Sequence, residues 1–298
     1  MRKVLFGVLC VAAVCLQATP AGLRADLSGI QKWAIQLQGA DFQEIIDSDY
    51  DLVVIDYSSD GTANGEYSAA QIQSLQDAGK TVLAYIPIGE ASDFRFYWQS
   101  NWKTGSPSFI GPANPNWPGA YRAKYWKKSW WDQVIRPYLD RILDAGFDGV
   151  WMDGIDSYWF WYTEGHNLQR RANNMCKLVR RIANHARARA GDDFILCPNN
   201  GPGLINEAST KWRNRYLADI DAVGHESLYY NVWSAADQAW RLWLLGQFDA
   251  AGVRILDIEY IGPESYVEFF DQVADSGLDM LGYPAAPDRA LDELIQYE

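Results

Sequence analysis

Residues 146–158 read Gly146-Phe147-Asp148-Gly149-Val150-Trp151-Met152-Asp153-Gly154-Ile155-Asp156-Ser157-Tyr158. Residues 149–152 carry no charge and make a run short enough for an inner strand of a parallel sheet. Asp153 closes that run, and Asp156 follows three residues on. In parallel α/β architectures the C-terminal strand edge is where ligands bind. Taken alone, Asp153 reads equally as a turn residue, since Asp before Gly is a common turn signal. The rest of the chain decides between these readings.

On either side the pattern repeats. Apolar runs at 33–38, 52–55, 81–86, 194–197, 220–224, 253–258 and 280–283 alternate with helical patterns at 42–46, 69–77, 132–145, 166–189, 235–250 and 263–276. Gly79 follows the second of these helical patterns as an expected C-terminal stop. Eight strand candidates joined by helical crossovers predict an α/β fold, a (β/α)8 TIM barrel over residues 25–298. The rhythm breaks once, in a long insertion after the third strand. Residues 91–131 hold Trp98, Trp102, Trp117, Trp126, Trp130 and Trp131 among four prolines. A loop this long is usually functional. It reads as the wall of a groove or as a satellite core packed on the barrel.

Residues 1–18 combine Arg2 and Lys3 with an apolar stretch that ends before small residues, the pattern of a cleaved signal peptide. The stretch is short for a membrane span, and Val14 before Cys15 fits a lipid anchor poorly. The expected location is therefore secreted or periplasmic, with membrane contact only through the cleaved signal. The chain's net charge is −12; loss of Arg2 and Lys3 leaves 24 basic against 38 acidic residues, or −14. That balance argues against nucleic acid and suits a cationic ligand or plain solubility. Cys176 and Cys197 remain in the mature chain, and their pairing is left open.

On a barrel the strand ends share one face. Asp56, Tyr57, Tyr85, Glu90, Asp153, Asp156, Asn199, Asn200, Glu226, Glu259, Tyr260 and Tyr283 would gather there. Crowded carboxylates split in pKa, which general acid catalysis beside a second ionised carboxylate needs. Two carboxyls suffice to cleave a glycosidic bond, and 14 Trp and 17 Tyr supply faces on which sugars stack. Each position has a plainer reading: a helix cap for Asp56, loop solvation for Glu90, a turn for Asn199 and Asn200, packing for Tyr85, Tyr260 and Tyr283. Glu259 lies two residues after Asp257, so both belong to one strand face, and it is the second candidate for a catalytic carboxylate. Three His residues without a metal-binding spacing predict no metal. The absence of a Gly-x-Ser-x-Gly elbow and of a phosphate-binding loop predicts neither a serine esterase nor a nucleotide cofactor; no cofactor is expected.

The segments Asp51-Leu-Val-Val-Ile-Asp-Tyr57, Val82-Leu-Ala-Tyr-Ile-Pro-Ile-Gly-Glu90, Gly146-Phe-Asp-Gly-Val-Trp-Met-Asp-Gly-Ile-Asp156, Glu226-Ser-Leu-Tyr-Tyr230 and Leu256-Asp-Ile-Glu-Tyr260 resemble glycoside hydrolase family 114, the endo-α-1,4-polygalactosaminidases, over about residues 30–290. The resemblance implies a TIM barrel that cuts α-1,4-linked galactosamine polymers internally; a monomer is expected. It places the acidic pair after strands four and six, which matches Asp153, as nucleophile or stabilising carboxylate, and Glu226, as acid/base, with the order of the two roles left open. It implies substrate contacts from Asp56, Tyr57, Tyr85, Glu90, Asp156, Asn199, Glu259 and Tyr260. A polycationic amino-sugar polysaccharide gives the acidic balance a partner. The alternatives are a non-catalytic carbohydrate-binding barrel, a hydrolase of another amino-sugar polysaccharide, and a deacetylase of the same polymer.

Overall fold

The computed structural model describes residues 24–297; the expected signal at 1–18 lies outside them. Strands β1 (Trp33–Gln36), β2 (Leu52–Asp56) and β3 (Thr81–Pro87) run parallel, with α1 (Phe42–Asp47) and α2 (Ala69–Asp77) as crossovers. Ser68 and Gln71 cap α2 reciprocally, satisfying donors the first helical turn leaves free. After β3 the chain leaves the barrel for a small antiparallel sheet of β4 (Glu90–Ser92), β5 (Ile110–Ala113) and β6 (Ala120–Ala123). It returns through α3 (Lys128–Trp130), a π-turn at Trp131–Ile135 and α4 (Arg136–Asp144). Then follow β7 (Gly149–Asp153), α5 (Ser157–Thr163), α6 (Leu168–Ala190), β8 (Ile195–Pro198), α7 (Leu204–Glu207), α8 (Thr210–Asp219), β9 (Ala222–Glu226), α9 (Ala235–Asp249), β10 (Arg254–Tyr260), α10 (Tyr266–Asp275) and β11 (Met280–Ala285).

The eight parallel strands lie in two ladders, β1-β2-β3-β7-β8 and β9-β10-β11. At one junction Asp221 N donates to Leu196 O at 3.0 Å and Asn200 N to Gly224 O at 2.9 Å. At the other, the Trp33 indole donates to Leu281 O at 3.0 Å. The interior is filled by rings: Trp33 stacks on Trp151 with centroids 5.4 Å apart, and Tyr283 packs against Trp33. The protein is a (β/α)8 barrel, as the alternation predicts. Strands such as Leu52–Asp56 are buried on both faces, which is why they read as continuous apolar runs rather than alternating ones.

Several boundaries differ from the sequence expectation. The sixth parallel strand begins at Ala222 rather than at 220, so Glu226 is its last residue. Asp221 is taken up at the opposite rim, accepting from Ala25 N, Leu196 N and Arg187. The helix expected from 132 begins at Lys128 and carries the π-turn. Ser157–Thr163, Leu204–Glu207 and Thr210–Asp219 are helices that no apolar periodicity announced. The insertion is mostly a satellite core: Trp130 and Trp131 are buried, and Trp98 stacks on Tyr121. Its tip, Trp117, is 62% exposed. Cys176 and Cys197 are buried and unbonded.

One close approach fixes how the insertion leaves the barrel. A Cβ on Gly89 would lie 2.1 Å from the Gly154 carbonyl oxygen, backbone that cannot give way. Gly89→Ala is therefore expected to cost about 1–3 kcal/mol through overpacking, read as a lower Tm. It should also displace the Asp153–Gly154 turn and lower activity.

Candidate active site

The C-terminal strand ends surround an open cleft of about 750 Å³. Asp153 is delivered by β7 and Glu226 by β9. Asn199 sits between them on the backbone that follows β8. Its amide nitrogen donates to Glu226 Oε1 at 2.8 Å and lies 3.5 Å from Asp153 Oδ1. One nitrogen reaching an oxygen of each carboxyl sets the two side by side at the floor of the cleft, near enough to flank one glycosidic bond.

Each carboxyl is gripped on both oxygens. The Tyr85 hydroxyl donates to Asp153 Oδ2 at 2.7 Å and Gly154 N to Oδ1 at 2.7 Å. For Glu226, Asn200 Nδ2 donates to Oε1 and the Tyr260 hydroxyl to Oε2, both at 2.8 Å. Asn200 has φ 60° and accepts from Glu226 N at 3.1 Å; Asn tolerates this left-handed conformation better than most residues. The guanidinium of Arg289 lies 4.3 Å from the centroid of the Tyr260 ring and packs on it. Rotamers locked in this way give a preorganised pair.

Burial, then the charge of Glu226, pushes Asp153 up to about 7, against the hydrogen bond from Tyr85. Burial also raises Asp156, opposed by Arg122. Glu90 is raised by burial while it pairs with Arg122 and accepts from Asn114 at 2.9 Å. The cleft thus holds more acid than its arginines neutralise. Asp153, Asp156 and Glu226 face the space, and Arg122 is already engaged by Glu90.

The cleft brings together Tyr85, Glu90, Asp153, Asp156, Asn199, Glu226 and Tyr260. Asp56, Tyr57 and Glu259 are not among its lining residues, which corrects the expected substrate contacts. Asp56 is buried and bound by both terminal nitrogens of Arg95, at 2.7 and 2.6 Å. Its role is to hold Arg95, which does line the cleft. Tyr57 packs edge-on against Tyr138 and donates to Gly61 O at 3.0 Å. Glu259 follows the two-residue strand period: Ile258 and Tyr260 reach the cleft, whereas Asp257 and Glu259 are fully buried away from it. Glu259 accepts from Tyr229 N at 2.6 Å and Tyr230 N at 3.3 Å, fixing the turn after Glu226. Burial beside Asp257 raises it to about 8.

Sequence reading did not single out Arg95, Arg122, Asn114 and Arg289 as part of the cleft. The first three lie in the insertion, whose path no periodicity predicts. Arg289 lies in the C-terminal segment after β11.

A family model described as glycoside-hydrolase family GH114 matches residues 15–297. An uncharacterized protein of Methanocaldococcus jannaschii is 36% identical over 273 residues, covering 88% of this chain and 77% of its own. One from Thermotoga maritima is 34% identical, covering 88% and 82%. Among solved structures, the glycoside hydrolase domain of PelA from Pseudomonas aeruginosa superposes with a TM-score of 0.66 at 17% identity, covering 90% of this chain and 98% of that domain. Aspergillus fumigatus Ega3, solved in complex with galactosamine, gives a TM-score of 0.61 at 18% identity, covering 89% and 95%.

Proposed function

The chain belongs to glycoside-hydrolase family GH114 and is a glycoside hydrolase, and from that premise we propose that it is an exported endo-hydrolase of α-1,4-linked galactosamine polymers, with Asp153 and Glu226 as its catalytic pair. The observation that carries the pair is the Asn199 amide reaching both carboxyls at the floor of the cleft. Of the two routes open to a carboxyl pair, the retaining double displacement is the one proposed. In that route Asp153 attacks the anomeric carbon while Glu226 protonates the leaving oxygen. Water, deprotonated by Glu226, then releases the glycosyl group from Asp153.

The substrate reading rests on charge. Asp153 and Asp156 hold protons above the usual carboxylate range because burial and their neighbours leave them short of positive charge. A sugar bearing an ammonium group supplies it, and binding then favours passage of the pair's one proton from Asp153 to Glu226, leaving Asp153 ionised to attack and Glu226 able to protonate the leaving oxygen. Galactosamine in the similar Ega3 structure points the same way. A neutral N-acetylated unit brings no such charge, so de-N-acetylated regions are the expected cleavage sites. Incubation with de-N-acetylated polygalactosamine should release oligosaccharides with retained anomeric configuration. Binding without new reducing ends would instead mark a carbohydrate-binding barrel, and acetate release without chain shortening a deacetylase.

The pH dependence has a definite sign. Beside the Glu226 carboxylate, Asp153 keeps its proton to about 7. Below that pH Asp153 supplies the pair with the proton that a double displacement needs; above it that proton is lost. We expect kcat/KM to fall as pH rises through about 7. A profile flat from pH 6 to 9 would contradict this arrangement.

A further inference from the structure

Beyond Asp156 the cleft opens into a second recess of about 700 Å³, and the two share Arg122, Asp156 and Asn200 as a common rim. Its walls come from α5 and α9, which present Trp159 and Trp240, each about half exposed at 49% and 47%. Both rings thus leave a large apolar face open beside a polar cleft. The Trp240 ring is seated rather than loose. Its tip lies against the backbone of Gly203, where a Cβ would meet Cη2 at 3.2 Å. The charges of the recess are ordered too. Its two arginines are occupied, Arg122 with Glu90 and Arg241 with Asp237 at 2.8 Å. Asp156 and Glu207 line the recess as well.

We propose that this recess is a second sugar-binding compartment of the same groove. A hexosamine unit remote from the scissile bond lies there with its ring face on Trp240 and its ammonium toward Asp156 and Glu207. The proposal rests on the glycosidase reading and adds to it. A chain that must fill both compartments is gripped away from its ends, so cleavage is internal and improves with chain length. Continuity through the shared rim selects further units of the same polymer as the occupant, rather than a separate ligand. The open aromatic face suits the C–H face of a sugar, and the carboxylates suit its amine.

The test measures affinity of the Glu226→Gln protein for α-1,4-galactosamine oligomers of rising length, with Trp240 intact, as Trp240→Ala and as Trp240→Phe. Affinity is expected to rise with length beyond what the catalytic cleft alone can hold. Trp240→Ala should remove that rise, weakening long oligomers about tenfold, the scale of one aromatic stack, and leave short ones unchanged. Trp240→Phe should keep most of it, which separates stacking from damage to the fold. Affinity that stops growing at cleft length, or long and short oligomers equally affected by Trp240→Ala, would overturn the recess and leave the glycosidase reading standing. Failure of every oligomer to bind would overturn both.

Discussion

Asp153→Asn and Glu226→Gln are each expected to lower kcat on the amino-sugar polymer by a factor on the order of 10⁴, with the fold intact. The replacements are isosteric and the hydrogen-bond network can accept them. In Asp153→Asn the new amide oxygen would keep the bond from Gly154 N, and the Tyr85 hydroxyl would turn from donor to acceptor. At position 226 the amide oxygen would keep the bonds from Asn199 and Asn200, with the amino group toward Tyr260. On the proposed mechanism, what disappears is a nucleophile in one case and a transferable proton in the other. The two variants should also part in stability. Asp153 is raised from its ordinary value to about 7, so its contribution to stability is full below about pH 4 and is lost as pH rises through about 7. A neutral amide escapes that loss. Asp153→Asn should therefore melt a few degrees above the parent at pH 8, and the gap should close toward pH 5. Activity within tenfold of the parent in either variant would remove that residue from the pair. Azide rescue of Asp153→Gly, with an inverted glycosyl azide as product, would identify Asp153 as the attacking group.

The sequence made the barrel legible because its strands are buried on both faces and therefore stand out as apolar runs. The same property carried the acidic pair: Asp153 and Glu226 each close such a run, on β7 and β9, with only β8 between them at the shared mouth. Asn199 was legible as a strand-end polar residue, but its bridging place was not. That place depends on Asn199 meeting Gly224 of the neighbouring strand across the junction of the two ladders, a pairing between distant segments. Asp56 and Glu259 went astray for different reasons. A two-residue period puts half of strand-end positions behind the sheet, and Glu259 could have been resolved by counting from Tyr260. Asp56 pairs with Tyr85 in the ladder and shares its inner face; it is closed off by Arg95, which comes from the insertion and so could not be read from the strand. There the aromatic density was a signal with two meanings, and the structure divides it: most of the rings build a core under the rim, and Trp117 stays at the cleft.

Arg95→Leu is expected to cost about 3–5 kcal/mol of stability, the largest loss among these substitutions, and to lower Tm by roughly 10 °C. The guanidinium and Asp56 bind each other through both nitrogens and both oxygens, and their side chains are only 5% and 10% exposed. Burial pushes the Asp56 carboxyl up even with Arg95 beside it. Without Arg95 the carboxyl must stay ionised in a dry site or take up a proton. Protonation is the cheaper course, so the loss should grow with pH and shrink in acid. This sign also separates an ion-pair effect from lost packing, because Arg95 lies 5.7–5.9 Å from the ring centroids of Tyr57, Tyr85 and Tyr138. A penalty independent of pH would assign the cost to those rings. The double variant Arg95→Leu with Asp56→Leu should recover much of the stability, since a buried pair replaced as a unit leaves no stranded charge. It should not recover full activity. Arg95 also lines the cleft near Tyr85, and Tyr85 holds Asp153. Calorimetry across pH 5 to 8 on the two variants, beside kcat for the double one, separates what this ion pair does for the fold from what it does for the cleft.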